Sequence, residues 1–256
     1  MFIEPFKGIL YNKKKIKKLG SVYAPPYDII SPRQQDEYYK ASPYNVIRLE
    51  LNKSDNPYTS AARFFNAWRK EEILKQDEKP SIYIYSQDFK YKNQLCRTLG
   101  FIALARIGSC LKDLALPHEM TFKAPKEDRE KLLEAAGANL SCIYTLFEDK
   151  PSCVNRLLTQ ASGKKPFIDA RFDSVRHRLW KADDGKWIKK LQQFLSDKKI
   201  FIADGHHRYE AAVNLRNRMK ALDKNFDEKS PYNYVMMYFA SMQDKNLTIL
   251  ATHRVV

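Results

Sequence analysis

The sequence is poor in cysteine and has none of the cysteine spacings that a zinc site or a disulfide framework requires. Its four cysteines are Cys96, Cys110, Cys142 and Cys153, and no two of them form a Cys-X-X-Cys pair. No apolar run approaches the ~20 residues of a transmembrane helix, and residues 1–10 lack the arrangement of a secretory signal. These absences predict a reduced, cytoplasmic compartment and no membrane partner.

The charge is strongly positive, but it is not arranged as in most nucleic-acid-binding proteins. The 256 residues carry 45 Lys and Arg against 30 Asp and Glu, a formal net charge of +15. Such a balance admits nucleic acid, an anionic membrane surface or small anionic substrates such as phosphates. No Arg-rich recognition helix is visible, which favours a solvated lysine surface. The lysine clusters are residues 13–15, 17–18, 164–165, 189–190 and 198–199.

Composition predicts a globular chain without a visible internal boundary. Hydrophobic residues make up 44% and aromatic residues 12%, enough for a substantial core rather than a disordered chain. The length corresponds to one large domain or two small ones. No internal repeat or low-complexity linker divides the chain, so we expect a single unit over residues 1–256.

The chain is organised around residues 200–212, where a short apolar run, a tight turn and a helical pattern follow one another. Residues 200–203 predict a buried strand, Asp204-Gly205 predicts a turn, and later apolar residues recur on one helix face. This geometry points free backbone N–H groups at an anion. The next three residues, His-His-Arg, place basic side chains where the helix dipole disfavours cations, which indicates a negative ligand. The alternative is a polar strand-to-helix turn without a ligand.

A second polar group precedes a helix predicted from Pro125 or Lys126. His118, Glu119 and Thr121 lie almost side by side there. Loops of this kind commonly carry general bases and phosphate contacts, although a polar connector is the alternative. A zincin site is excluded, because no second His follows four residues after His118.

Three further segments place polar side chains in set directions. The prolines of residues 24–32 predict a rigid extended loop that holds Tyr27 and Asp28. A strand predicted over residues 45–51 places Arg48 and Glu50 on one face, as a surface pair or as a pocket pair. Residues 175–180 alternate as a half-buried strand should, so that Arg176 and Arg178 share a face able to meet a phosphate.

Strand and helix patterns together predict a mixed α/β (α+β) fold, in which a mixed β-sheet is surrounded by helices. Strands are predicted over residues 45–51, 81–85, 96–107, 141–147, 166–172, 175–180, 200–203, 232–240 and 247–256, and residues 1–10 are predicted to form a strand or an extended arm. Helices are predicted over residues 32–39, 58–74, 125–136, 152–161, 188–195 and 208–221. The strand of residues 200–203 is expected to be central.

Several ordered motifs resemble the family known mainly as domain of unknown function 1015. They span almost the whole chain: residues 4–8, 25–31, 118–121, 137–139, 176–180, 203–209, 231–234 and 253–256. The Asp-Gly-His-His-Arg turn also resembles the strand-turn-helix of the ParB-like superfamily, which includes free serine kinases. The resemblance implies a ParB-like core. Family members usually continue beyond a segment like residues 247–256, so we expect a C-terminal part to be missing from this sequence.

The resemblance implies phosphorylation of free L-serine to O-phosphoserine, with pyrophosphate, ATP or ADP as donor. Asp204 is expected to hold Mg²⁺ or to accept the proton of the acceptor hydroxyl, with Glu119 the alternative base and His118 orienting the substrate. The expected phosphate-binding residues are Gly205, His206, His207, Arg208, Arg176 and Arg178. Tyr27, Asp28 and Thr121 are expected to hold the amino acid.

A rival interpretation is a nucleic-acid-binding regulator without catalytic activity, built on a ParB-like core. The charge of +15 and the fold resemblance support it. The absence of a helix-turn-helix signature and of a basic helix with base-reading spacing opposes it. We therefore expect small-molecule partners and no nucleic acid.

Overall fold

The computed structural model describes residues 2–107 and 123–247. The strands are β1 (Ile3–Glu4), β2 (Ile9–Tyr11), β3 (Leu74–Gln76), β4 (Ile82–Tyr91), β5 (Gln94–Arg106), β6 (Ile143–Phe147), β7 (Ile168–Phe172), β8 (Val175–Ala182), β9 (Ile200–Asp204) and β10 (Tyr234–Ser241). The helices are α1 (Pro32–Ala41), α2 (Ile47–Glu50), α3 (Pro57–Lys70), α4 (Lys123–Ala136), α5 (Cys153–Ser162), α6 (Gly185–Leu195) and α7 (His206–Leu222). Short 3-10 turns span Leu19–Val22, Tyr27–Ile29 and Pro231–Asn233.

One sheet carries most of the strands and is mixed, as the sequence predicts. Its order is β7-β8-β4-β5-β10-β6-β9, and β1 pairs with β5 beside this path. β10 runs parallel to β6, whereas the other pairs of this sheet are antiparallel. β2 and β3 form a separate antiparallel pair. Within the described ranges, no helix combines the length and the apolar character that crossing a bilayer requires.

The two faces of the sheet bury different sets of side chains because strand residues alternate in direction. Ile82 and Ile84 of β4 belong to the larger core, which also holds Phe101, Phe239 and Leu191. Helices α5 and α6 supply its outer layer. The opposite face carries a smaller cluster and faces the N-terminal part of the chain, where α3 anchors a further cluster. Helices therefore cover part of the sheet on one side, and the N-terminal segments cover the other.

Several local structures form from residues that are close neighbours in the sequence. Ser31 caps α1 with a reciprocal capping box to Gln34, and Pro32 occupies the first helical position. The hairpin between β4 and β5 turns at Lys92 and Asn93, both with positive φ. Gly137 ends α4 at a φ of 60°. Each of these structures forms from side chains and backbone groups only a few residues apart.

Two predictions were wrong. Residues 45–51 form the short helix α2 rather than a strand, because the side-chain oxygen of Asn45 accepts from the N–H of Ile47 and starts a helical turn. The strand of residues 200–204 lies at the end of the sheet rather than in its centre. The apolar residues of this strand are buried by packing on one face of the sheet. A central strand has a similar apolar pattern, so the sequence alone cannot distinguish an end position from a central one.

Candidate functional site

The turn after β9 has the strand-turn-helix geometry that the sequence predicts. β9 ends at Asp204, Gly205 has a φ of 92°, and α7 begins at His206. Glycine is favoured at such a φ because it has no Cβ. A Cβ on Gly205 would also lie 2.9 Å from Nε and 3.1 Å from Cζ of Arg208. Backbone conformation and space therefore both select glycine at this position.

The first turn of α7 presents backbone N–H groups that have no acceptor inside the helix. The N–H of Tyr209 donates to the carbonyl of Gly205, and no described side chain caps the helix. The N–H groups of residues 206–208 therefore remain available at the end of a 17-residue helix. Because the helix dipole adds partial positive charge there, this end of α7 suits an anion.

Arg208 folds back over the turn and ties it to the start of β6. One guanidinium nitrogen, Nη2, donates to Oδ2 of Asp204 at 2.5 Å, and Nη1 donates to the carbonyl of Cys142. The Arg208 side chain is 16% exposed, whereas the Asp204 side chain is 57% exposed. The arginine is thus held in place from below, while the carboxylate is open to solvent and to a ligand.

His206 and His207 each have a buried Nε2 atom that makes no hydrogen bond within the described residues. Buried polar atoms are nearly always paired, since leaving one unpaired costs ~1–3 kcal/mol. Their partner is therefore a ligand or a residue outside the described ranges. Both imidazoles belong to the first turn of α7, where the backbone N–H groups also lack acceptors. One phosphate could satisfy both kinds of donor.

A buried ion-pair network lies beside this turn and is centred on Arg129 of α4. Arg129 is 6% exposed, and it pairs with Glu50 at 3.2 Å and with Asp128 at 2.5 Å. Its guanidinium carbon lies 3.9 Å from the centre of the Tyr27 ring, and Tyr58 donates to Asp128 at 2.9 Å. The network fixes Tyr27, a predicted substrate contact, against a charged and immobile platform.

Burial shifts the pKa values of two further groups beside the turn. Burial raises the pKa of Glu50, although the charges of Arg129 and Arg208 oppose the shift. Burial also raises the pKa of Cys142 to about 12. A thiol with such a pKa is not a thiolate nucleophile at neutral pH. Glu50, by contrast, is a candidate acid or base, because perturbed carboxylates cluster at functional sites.

Glu50, Arg129 and Arg208 line one small pocket together with residues 138–141. Its volume is about 40 Å³, which is room for water rather than for an amino acid. Ser141 bonds to Glu50 within this group and helps to lower the carboxyl pKa. A substrate would therefore bind on the outer side of the turn, where Asp204 is exposed.

The two arginines of β8 lie far from this site. Arg176 and Arg178 share a face of β8, as the alternation predicts, but four strands separate β8 from β9 in the sheet. Five interstrand spacings correspond to about 24 Å measured across the sheet. Arg176 pairs with Asp169 and Arg178 with Asp88, both at 2.6 Å. The structure does not bring these arginines together with Arg208.

The other predicted site residues have different outcomes. Asp28 is exposed next to Tyr27, and its charge acts on the Tyr27 phenol. His118, Glu119 and Thr121 lie outside the described residues. No group of three or more His, Cys, Asp or Glu is arranged around a metal in the described part of the chain. A magnesium ion held through a single carboxylate and substrate phosphates does not need such a group, so the exposed Asp204 carboxylate fits that mode.

Sequence reasoning missed the roles of Arg129 and Ser141 and misplaced Glu50. Arg129 was visible only as one charge among many on a helix, and Ser141 as the start of a strand. Glu50 was noticed, but its predicted neighbour was Arg48. In the structure Arg48 lies over the ring of Tyr39 at 4.3 Å, and Glu50 turns toward α4 instead.

The fold and the turn define a mixed α/β protein in which α7 begins at a glycine turn with uncapped backbone N–H groups. Residues 3–256 match the family described as "Protein of unknown function (DUF1015)", and the chain belongs to this family. Comparison with curated proteins and with solved structures gave no match. The family is therefore the one that the ordered motifs indicate, while the likeness to ParB-like serine kinases stays a prediction.

Proposed function

We propose that this protein transfers a phosphoryl group from pyrophosphate or a nucleotide to free L-serine. The observation that carries the proposal is the first turn of α7, where available backbone N–H groups, two histidines and Arg208 meet one exposed carboxylate. Phosphoryl transfer depends on positioning and on neutralisation of charge more than on covalent chemistry. Serine as the acceptor rests on the resemblance to ParB-like free serine kinases.

The donor is proposed to bind at the end of α7. Gly205 makes the tight turn that precedes α7, so that the N–H groups of residues 206–208 can donate to the oxygens of the terminal phosphate. His206 and His207 supply the two Nε2 atoms that lack partners in the described residues. Arg208 adds a fixed positive charge, held there by Asp204 and by the Cys142 carbonyl. Arg176 and Arg178 take no part, because they are paired elsewhere on the sheet.

The acceptor is proposed to lie beside Tyr27 and Asp28, on the side of the turn where Asp204 is exposed. The serine hydroxyl oxygen attacks phosphorus as the bond to the leaving phosphate or nucleotide breaks. Its proton passes to a carboxylate, which is Asp204 or Glu119. Arg129 holds Tyr27 from below and thereby sets the position of the amino acid.

Mg²⁺ is part of the proposal, because hard cations bind carboxylate and phosphate oxygens. Asp204 would hold it through the carboxylate oxygen that is not bonded to Arg208. When bound, the ion would neutralise charge on the donor phosphates. Asp204 then serves as metal ligand or as base, and the two roles are separated by the pH dependence of turnover.

The test is formation of O-phosphoserine by the purified protein. Serine and Mg²⁺ are incubated with pyrophosphate, ATP or ADP in separate reactions, and phosphoserine is measured by mass spectrometry. We expect product with at least one donor, and its loss in Arg208→Ala. Arg216→Ala serves as the matched control, since Arg216 lies on the same helix and bonds to Asn233 instead. Absence of product with all three donors would count against the proposal.

The same preparation tests the nucleic-acid alternative. If the protein were a ParB-like regulator, DNA affinity would show sequence preference and would fall steeply with salt. We expect only weak binding without sequence preference, from the scattered lysines. Sequence-specific binding without phosphoserine formation would replace our proposal with the regulator.

A further inference from the structure

A cavity of about 600 Å³ lies between the sheet and the N-terminal part of the chain, separate from the end of α7. Small-molecule sites commonly have volumes of ~300–1,000 Å³ and mostly apolar walls. The walls of this cavity are largely apolar, and they include Leu10, Leu49, Phe65, Ile102, Leu104 and Met236. An apolar molecule of moderate size therefore fits the cavity by volume and by chemistry.

One polar pair interrupts the apolar wall. Nδ1 of His177 lies 2.6 Å from the hydroxyl oxygen of Tyr85, and the two rings are stacked at 18° with centroids 6.0 Å apart. Burial raises the pKa of Tyr85 and lowers the pKa of His177. The phenol therefore keeps its proton and donates it to Nδ1, which leaves the imidazole proton on Nε2.

Nε2 of His177 is a buried donor that makes no hydrogen bond within the described residues. The backbone of Phe172 opposes the fall in the pKa of His177, but no acceptor among the described residues meets hydrogen-bonding geometry at Nε2. Because a buried donor without an acceptor is costly, its partner is expected from outside this set of residues. The cavity that His177 lines is where such a partner would be placed.

Two other hydroxyl groups on the cavity wall already have partners. The Tyr83 hydroxyl accepts from the N–H of Gly8 at 2.7 Å and donates to Asp77 at 2.5 Å. The Tyr11 hydroxyl donates to the carbonyl of Tyr44 at 2.8 Å. Arg178 also lines the cavity; its Nη2 donates to both carboxylate oxygens of Asp88 at 2.6 Å, whereas its Nε is a second buried donor without a hydrogen bond among the described residues. His177 is thus an uncharged lining group with hydrogen-bonding capacity left open for a ligand.

We infer that this cavity binds a small, mostly apolar molecule with one uncharged hydrogen-bond acceptor, such as an aromatic amide or ketone, and that the acceptor bonds to Nε2 of His177. The apolar walls select an apolar body, and the N–H of His177 selects an acceptor rather than a donor. A cation would find no acidic residue among the described residues of the wall, and an anion is disfavoured because Asp88 already pairs with Arg178. The site is distinct from the proposed phosphate site, although residues 138–140 line both pockets.

The inference does not depend on phosphoryl transfer, since its readout is binding alone. Three probes with the same aromatic ring test the apolar body, the acceptor and the charge separately. Benzamide carries the acceptor, toluene lacks it, and benzylammonium carries a charged donor. Their dissociation constants are measured by ligand-observed NMR with the wild-type chain. We expect benzamide to bind roughly tenfold more tightly than toluene, the effect of about one good hydrogen bond. Benzylammonium is expected not to bind.

Two variants identify the site of binding. His177→Phe keeps the ring but removes the donor, so benzamide should weaken to the level of toluene while toluene is unchanged. Met236→Trp fills part of the cavity and should weaken both probes. Leu95→Trp, at a residue that is 73% exposed, is the control for the added indole. Thermal unfolding verifies that each variant is folded, and His177→Phe alone carries the test if Met236→Trp does not fold.

The inference is overturned if neither benzamide nor toluene binds the wild-type chain at millimolar concentration. It is also overturned if His177→Phe leaves benzamide affinity unchanged, or if folded Met236→Trp binds both probes as the wild type does. Tight binding of benzylammonium would likewise show that the recognised group is not a hydrogen-bond acceptor.

Discussion

The guanidinium of Arg208 covers Gly205 so closely that a Cβ at residue 205 would lie 2.9 Å from its Nε atom. Gly205 also has a φ of 92°. Two other glycines allow the effect of a positive φ to be compared with the effect of close neighbouring atoms. Gly137 has a φ of 60° but no described atom within 4 Å of the Cβ position, and Gly185 has neither constraint.

The first prediction compares alanine at these three glycines. Gly137→Ala should lose ~1–2 kcal/mol through backbone strain alone, whereas Gly185→Ala should be neutral or gain up to ~1 kcal/mol. Gly205→Ala should lose more than Gly137→Ala, because Arg208 must also move. It should also weaken pyrophosphate binding. Urea unfolding and titration calorimetry measure the two effects, and equal behaviour of Gly205→Ala and Gly137→Ala would contradict the steric argument.

The second prediction separates catalysis from folding at Asp204. Asp204→Asn keeps the size and removes the charge, so turnover should fall of the order of 10²-fold or more for a base or metal ligand. Stability should change by less than ~1 kcal/mol, because the carboxylate is 57% exposed and exposed ion pairs contribute little. Asp169→Asn removes a similar pair with Arg176 away from the site and should leave turnover unchanged. Near wild-type turnover in Asp204→Asn would transfer the role to Glu119 or Glu50.

The third prediction concerns the buried network of Arg129. Arg129→Met leaves Glu50 buried without its nearest cation, which should cost ~3–5 kcal/mol. Adding Glu50→Gln to that variant should recover much of the loss, since the buried charge is then removed. Arg218→Met is the exposed comparison, with a partner in Glu134 at 2.6 Å, and it should cost less than ~1 kcal/mol. The free energy of unfolding of each variant is measured in urea. Strictly additive effects of Arg129→Met and Glu50→Gln would contradict an energetic coupling between Arg129 and Glu50.

The fourth prediction distinguishes a fixed arginine site from a diffuse basic field. Arg208→Lys keeps the charge but loses the planar fork, so donor KM should rise. Arg178→Lys should leave donor use unchanged, because Arg178 is occupied by Asp88 several strands away. Replacing Lys13, Lys14 and Lys15 with Gln should also change little. If the triple variant is impaired and Arg208→Lys is normal at fixed ionic strength, the basic field is the functional feature and a polyanion is the partner.

The fifth prediction is a pH dependence of stability from His177. Burial lowers the pKa of His177 in the folded state below its ordinary value, so the unfolded chain binds the proton more readily. The contribution to stability is therefore fully present above ~6.5, the unfolded pKa, and is lost as pH falls through the folded pKa. His177→Phe should flatten this part of the profile. Urea unfolding between pH 5 and pH 8 tests it, and an identical slope in both proteins would show that His177 is not responsible.

Local structure could be predicted where its causes lie within a few residues. The strand-turn-helix predicted at residues 200–212 is confirmed. The capping box of Ser31 and the hairpin at Lys92 likewise form from groups that are adjacent in the chain. The sequence also predicted the mixed sheet, because strand and helix patterns alternate along the chain. At residues 45–51 the pattern was ambiguous, and Asn45 decided in favour of a helical turn.

The sequence by itself determined the strand-turn-helix at Gly205, since a glycine with positive φ and the polar residues after it are consecutive in the chain. Only the tertiary structure decided what surrounds that turn. Arg129 pairs with Glu50 across 79 residues, Arg208 reaches the Cys142 carbonyl across 66, and Tyr85 meets His177 across 92. Strand order likewise placed β9 at the edge of the sheet and kept Arg176 and Arg178 away from Arg208. Such contacts depend on how separate helices and strands pack together. The spacing of residues along the chain does not predict which of these elements become neighbours.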